Sequence, residues 1–154
     1  SLVLCLHGQA GYAENTGSGS IPYRELFNLG GQHTLRGFTW GQVAPSWDYQ
    51  NPLGGKKSLY FGAELIFPVL NNYNMKMHLF YEAGSAWNTP REGIVGQYAS
   101  HIRNDNFNLR HTVGIGLNII RPQPMKISFG YKLDRNGKLN ERPYEFHIGM
   151  NTAF

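Results

Sequence analysis

Ser58-Leu59-Tyr60-Phe61-Gly62-Ala63-Glu64-Leu65-Ile66-Phe67 alternates with a period of two. Leu59, Phe61, Ala63, Leu65 and Phe67 fall on one face, and Tyr60, Gly62, Glu64 and Ile66 on the other, which is the pattern of a β-strand. The first face suits lipid. The second carries a carboxylate and suits a polar interior, and this division is that of a strand in a membrane β-barrel.

The same scheme recurs on both sides. Residues 75–87 set Met75, Met77, Leu79, Tyr81, Ala83 and Trp87 against Lys76, His78, Phe80, Glu82 and Gly84. Residues 109–119 set Leu109, His111, Val113, Ile115, Leu117 and Ile119 against Arg110, Thr112, Gly114, Gly116 and Asn118. Met125, Ile127, Phe129, Tyr131 and Leu133 oppose Lys126, Ser128, Gly130 and Lys132 over 125–133. The last segment, 144–154, sets Tyr144, Phe146, Ile148, Met150 and Phe154 against Glu145, His147, Gly149 and Asn151, and a weaker strand over 2–12 opens the chain. Each is about the 9 to 11 residues that cross a bilayer when tilted.

Asn71-Asn72, Arg121-Pro122-Gln123-Pro124 and Asp134-Arg135-Asn136-Gly137 supply turn chemistry. Residues 13–57 and 88–108 read as long polar loops on the opposite side, in keeping with the short turns and long loops of outer-membrane barrels. Tyr12, Tyr23, Trp47, Tyr73, Trp87 and Phe154 fall near strand ends, where aromatic girdles sit. A soluble β-sandwich would show the same alternation, with one face buried against a second sheet. Strand length and the placement of aromatics favour the membrane barrel.

Composition is compatible with that reading. The chain has 154 residues, 41% hydrophobic, 14% aromatic and only 16% charged, with 19 glycines, and a mean hydropathy of −0.39. It is long enough for one domain. No apolar run reaches the roughly 18 residues of a transmembrane helix. A net charge of +4 from dispersed Lys and Arg is not the clustered footprint of a nucleic-acid binder, so no nucleic-acid partner is expected. Cys5 is the single cysteine and cannot form an intramolecular disulfide. Ser1–Leu6 lacks the charged start of a secretory signal, so the chain is expected to be mature or to begin partway through something larger.

Gly62, Gly84, Gly114, Gly116, Gly130 and Gly149 all lie on the polar phase. Glycine in a strand often marks a close approach of another backbone, which would make room for a segment folded into the lumen, with 13–57 the stretch long enough to supply it. The alternative is that these glycines only relieve crowding or permit bending in a tight barrel. Within that loop, Leu29-Gly30-Gly31-Gln32-His33-Thr34-Leu35-Arg36-Gly37-Phe38 places one arginine among glycines. Such a cation needs an acidic partner. Glu64 and Glu82 are the candidates, each two residues from a glycine on the same strand face.

Leu29-Gly30-Gly31 through Leu35-Arg36-Gly37-Phe38 resembles the loop signature of the BamA-type outer-membrane assembly factors, whose relatives include the TamA translocation factor and the two-partner secretion transporters. Pro22-Tyr23-Arg24-Glu25-Leu26-Phe27 is similar to the lead-in of that motif, Gly54-Gly55-Lys56 to the step before the next strand, and Phe80-Tyr81-Glu82-Ala83-Gly84 to the family's Phe-x-Asp-x-Gly strand. Ile148, Gly149, Met150 and Phe154 resemble the closing β-signal, with Thr152 interrupting its apolar phase.

The resemblance implies an all-β, antiparallel transmembrane barrel of about sixteen strands, of which this chain would be the C-terminal part, integral to the outer membrane, with an inward-folded loop. It implies that Arg36 contacts Glu82 and Glu64, Glu82 standing where Asp is usual. It also implies soluble POTRA repeats and further barrel strands that this sequence does not carry. Unfolded outer-membrane proteins would be the substrates and accessory lipoproteins and membrane lipids the partners. Incoming strands would be accepted at a weak seam between the first and last strands. A secretion pore of the TamA or two-partner kind, or a passive structural barrel, is the alternative. About six strands leave two open edges that lipid will not tolerate, so a longer protein or a partner chain is expected to complete them.

Other chemistry is set aside. The six histidines show no metal-ligand spacing and no metal or cofactor is expected. Gly54-Gly55-Lys56-Lys57-Ser58 lacks the upstream glycine of a phosphate loop, and Gly17-Ser18-Gly19-Ser20 reads as flexible linker, not a nucleophile elbow. Glu64 and Glu82 could form an acid/base pair, but the arginine makes them better ion-pair partners, and no enzymatic activity is expected.

Overall fold

The period-2 segments form one sheet. The computed structural model describes residues 1–70, 74–91, 96–134 and 142–150. Its strands are β1 (Val3–Tyr12), β2 (Ser46–Trp47), β3 (Asn51–Pro52), β4 (Lys57–Leu70), β5 (Met75–Trp87), β6 (Ile102–Arg103), β7 (Arg110–Ile119), β8 (Met125–Lys132) and β9 (Tyr144–Met150), with a 3-10 turn at Tyr23–Glu25 and one helical turn, α1 (Gly96–Ala99). Six of the strands make an antiparallel meander in the order β1-β4-β5-β7-β8-β9. Each pairs with the next long strand in the chain, so the sheet is built from successive neighbours.

Register puts the inward phase of every strand on one wall. Gly62 lies opposite Glu82 and Glu64 opposite Phe80. Glu82 lies opposite Thr112 and Gly84 opposite Arg110, then Thr112 opposite Lys132 and Gly114 opposite Gly130. The other face exposes Leu4, Leu6, Phe61, Leu79, Ile115, Phe129, Phe146, Ile148 and Met150. A sandwich would bury that face against a second sheet, and among the described residues nothing covers it. An apolar band that wide is what a lipid-facing wall presents.

The core lies between the inner wall and the loop of residues 13–56. Leu29, Leu35, Phe38, Val43 and Ala44 of the loop pack with Tyr60 of β4 and Ala86 of β5. Paired backbone hydrogen bonds between Phe27 and Gly55, and between Leu29 and Val43, keep the loop compact.

Strand boundaries match the alternation closely. β5 spans 75–87 as the pattern predicts, and β4 extends past its pattern on both sides, to 57–70. β9 is described as Tyr144–Met150; Phe154 and Thr152 lie outside the described residues, as do Asn71, Asn72, Tyr73 and 135–137. Two expectations change. The long loops are not free of strands, because β2 pairs with both β3 and β6 and so ties residues 13–56 to 88–109. Trp47 and Tyr23 are also not girdle residues. Trp47 belongs to this small sheet and stacks on His101 with ring centroids 5.1 Å apart, while Tyr23 opens the 3-10 turn inside the loop. Of the six aromatics, Tyr12 and Trp87 end membrane-length strands, and Tyr73 and Phe154 lie outside the described residues.

Candidate functional site

The motif loop is shaped by its glycines. Gly30 and Gly31 have φ of +115° and +104°, a region open to glycine and strained for other residues. That bend lets the Gly31 N–H donate to the Phe38 carbonyl at 2.8 Å while the Phe38 N–H donates to the Leu35 carbonyl at 3.1 Å. Gly30 N–H is received by Thr34 Oγ1 at 2.9 Å. Leu35-Arg36-Gly37-Phe38 is thereby presented as a tight knuckle to the inner wall.

Arg36 is 3% exposed and Glu82 1%. The Arg36 backbone N–H donates to Glu82 Oε2 at 2.8 Å. Its side-chain Nε donates to Glu82 Oε1 at 2.8 Å, and a terminal nitrogen lies 2.7 Å from the same oxygen. The other side of the fork faces Glu64, with both terminal nitrogens at 3.3 Å from its carboxylate oxygens. Below the guanidinium, the Phe80 ring centroid lies 3.8 Å from Cζ. A planar five-donor cation suits this seat, because it can grip one carboxylate closely, reach a second and stack on a ring at once. The buried charge is therefore both paired and hydrogen-bonded, the condition under which burial is tolerated.

The carboxylate that grips hardest is itself held. Tyr60 donates its hydroxyl to Glu82 Oε1 at 3.2 Å, and His7 Nε2 of β1 lies 2.8 Å from that hydroxyl. On the far side of Glu64, His78 Nε2 stands 3.4 Å from Oε1 without hydrogen-bond geometry, and neither of its ring nitrogens has a hydrogen-bond partner.

Gly37 is explained by proximity. A Cβ there would meet Thr112 Oγ1 of β7, and a Cβ at Gly130 of β8 would fall on the Arg36 carbonyl and Gly37 Cα. Loop and wall thus touch backbone to backbone. The inward glycines divide into two sets. Gly84, Gly130 and Gly149 lie under the loop, facing Leu29 and Leu35, the Arg36–Gly37 backbone, and the Gln32 side chain respectively. Gly62, Gly114 and Gly116 instead leave room for the rings of His7, Phe80 and His78, so close approach of the loop and relief of side-chain crowding each account for half.

The structure therefore brings Gly30, Gly31, Leu35, Arg36, Gly37 and Phe38 to one place and sets Arg36 on Glu82 and Glu64. Ile148 and Met150 point outward on β9 and are exposed, while Gly149 faces the loop. Phe80 opens the Phe-x-Glu-x-Gly segment quoted from sequence, but its place under the guanidinium was not foreseen, and Tyr60 and His7 were not assigned a role. Tyr60 and Phe80 stand at even spacing from the two glutamates on the same faces, and that period-2 relation could have found their part in the site. His7 becomes visible only through the pairing of β1 with β4, which sets it opposite Gly62.

The sequence profile of the Omp85 superfamily domain matches residues 1–154. Among curated relatives, the outer membrane protein assembly factor BamA of Neisseria meningitidis serogroup B is 26% identical over 171 aligned positions, covering 97% of this chain and 22% of its own length. The BamA of Nitratidesulfovibrio vulgaris is 23% identical over 151 positions, covering 94% of this chain and 18% of its own. The chain thus spans about a fifth of the length of the curated relatives it matches. The crystal structure of BamA from Haemophilus ducreyi lacking POTRA domains 1–3 superposes with a TM-score of 0.71 at 22% identity, over 97% of this chain and 30% of that one, a likeness of fold. With the domain profile spanning every residue and an inward loop seated on a lipid-facing sheet, the chain belongs to the Omp85 superfamily of integral outer-membrane β-barrel proteins.

Proposed function

We propose that this chain is the C-terminal barrel portion of an outer-membrane protein assembly factor of the BamA kind, which folds and inserts other β-barrel proteins. The observation that carries this reading is the seating of the Arg36 knuckle on Glu82 and Glu64 within an Omp85 domain. The work is mechanical and makes or breaks no covalent bond, so neither enzymatic catalysis nor a cofactor enters it. Arg36 and its carboxylates keep the loop inside the barrel and the wall in shape. The outer edges of β1 and β9 are unpaired among the described residues, and their N–H and C=O groups require partners in lipid. Further barrel strands of the same protein complete them, and an unfolded client pairs transiently at the seam by β-augmentation. POTRA repeats and accessory lipoproteins deliver the client.

The test uses the full-length protein that contains this chain, reconstituted in liposomes and challenged with a urea-denatured outer-membrane protein. Folding of the client is followed by its heat-modifiable gel mobility. Faster folding than in protein-free liposomes, reduced by Arg36→Ala, is the expected result. No acceleration together with large gated currents in planar bilayers would assign a secretion pore of the TamA or two-partner kind instead. No acceleration and no current would leave a passive barrel.

A further inference from the structure

The Arg36 contacts are not the only ones the knuckle makes with the wall. Two residues later, Phe38 is 0% exposed, and its ring receives cations from two different strands. Arg110 Cζ at the loop end of β7 lies 4.9 Å from the ring centroid, and Lys132 Nζ at the loop end of β8 lies 5.0 Å from it. Both cations are buried. Bringing two like charges to one ring out of water is costly unless each is separately held and the ring itself attracts them.

Both conditions are met. Arg110 donates from Nε to Asp134 Oδ2 at 2.9 Å and from a terminal nitrogen to the Asp134 carbonyl at 3.3 Å, and Asp134 Oδ1 also receives the His111 N–H at 3.1 Å. Lys132 Nζ donates to the Arg142 carbonyl at 2.8 Å. An aromatic face carries the negative end of its quadrupole, and the attraction for a cation within about 6 Å grows when water is excluded. The inner wall therefore has two polarities under a four-residue motif. It is acidic on β4 and β5, where the loop offers a guanidinium, and basic at the ends of β7 and β8, where the loop offers a π-face. Gly37 sits between them, with Thr112 and Gly130 directly below.

We propose that Arg110 and Lys132 are positioning residues that pin the loop through the Phe38 ring, as a second anchor independent of the Arg36 carboxylates. Asp134 acts behind them by orienting Arg110. The inference rests on the reading of the chain as a barrel with the loop seated in its lumen. It does not depend on what that barrel assembles.

Phe38 also packs with Leu29, Leu35, Val43 and Ala44, so simple truncation would not separate a cation contact from ordinary burial. Fluorination of the ring does. Mono-, di- and trifluorophenylalanine introduced at position 38 of the full-length protein keep the shape and apolar character of the ring while draining its π-face. The readout is the rate of proteolytic cleavage within residues 13–56 in liposomes, under conditions where the loop recloses faster than it is cut, so that cleavage tracks the open population. Cleavage is expected to rise stepwise with each fluorine, reaching on the order of tenfold for the trifluoro ring. Lys132→Met should raise it comparably, Lys132→Arg should restore protection, and the fluorine dependence should flatten in the Lys132→Met background. Cleavage that is unchanged by fluorine, while Phe38→Leu loosens the loop, would reduce Phe38 to a core residue and overturn the proposal. Because no client protein is present, the outcome is separate from whether the barrel is an insertase or a pore.

Discussion

Glu82→Gln is the substitution whose effect the geometry specifies most sharply. The glutamine keeps the length and volume of the side chain but removes the charge that faces the Arg36 backbone N–H at 2.8 Å, Nε at 2.8 Å and a terminal nitrogen at 2.7 Å. Breaking a buried pair costs about 3–5 kcal/mol because a charge is left uncompensated. Glu64 remains to neutralise part of that charge, which places the cost near the lower end, about 3 kcal/mol, or roughly a hundredfold more open loop. Glu64→Gln should do far less. Its contacts are at 3.3 Å and its side chain is 14% exposed, so about 1 kcal/mol and roughly a fivefold change are expected. Hydrogen exchange of the Arg36 amide, measured on the full-length protein in liposomes, reads the opening directly, since that N–H is bonded to Glu82 itself. Equal loss of protection in the two variants, or a larger loss in Glu64→Gln, would refute the assignment of Glu82 as the principal seat.

Further outcomes follow from the same contacts. Gly130→Ala should lift the knuckle at a cost of about 1–3 kcal/mol, because the new methyl meets backbone atoms of Arg36 and Gly37; Gly149→Ala meets only the end of the Gln32 side chain and should leave Arg36 exchange within about 0.5 kcal/mol of the parent. Tyr60→Phe removes the hydroxyl between His7 and Glu82 and should weaken loop protection by about 1 kcal/mol; a smaller effect than that of Glu64→Gln would mean that the hydroxyl does not orient Glu82. Trp47→Ala removes the stack on His101 beside the Asp48–His101 contact at 3.0 Å, and should speed exchange across β2 and β6 while Arg36 stays protected.

The sheet was legible in the sequence because its central strands turn one phase to the inner wall and the other to lipid, so the alternation at Leu59–Phe67 or Met75–Trp87 is the physical division itself. The Arg36 clasp was legible for a different reason: Leu35-Arg36-Gly37-Phe38 resembles the loop motif of the assembly factors, and Glu64 and Glu82 stand on the inward phase of two neighbouring strands, where a guanidinium folded against the wall finds carboxylates. What the sequence hid depends on pairing across distance. β2, β3 and β6 are two residues long each, too short to carry any period, and β2 meets β6 only across more than fifty residues of chain. The cations beside Phe38 come from strands about 70 and 90 residues further along, roughly the separations at which local pattern carries no information. The two roles of the inward glycines likewise required knowing which side chain stands over each.

Arg36 precedes by 46 residues the carboxylate that grips it, and Thr112 and Gly130, on which the knuckle rests, follow later still. The loop is therefore made before any part of its seat. Closing so long a segment brings little reward until the later strands are paired, which makes its descent a late event in the life of a nascent barrel. It is also a demanding one. A slip of one residue between β7 and β8 would replace Gly130 under the knuckle by Phe129 or Tyr131, and backbone could no longer meet backbone. The loop is in this sense a gauge that fits only a correctly registered wall, so that its seating certifies the strands that were laid down after it.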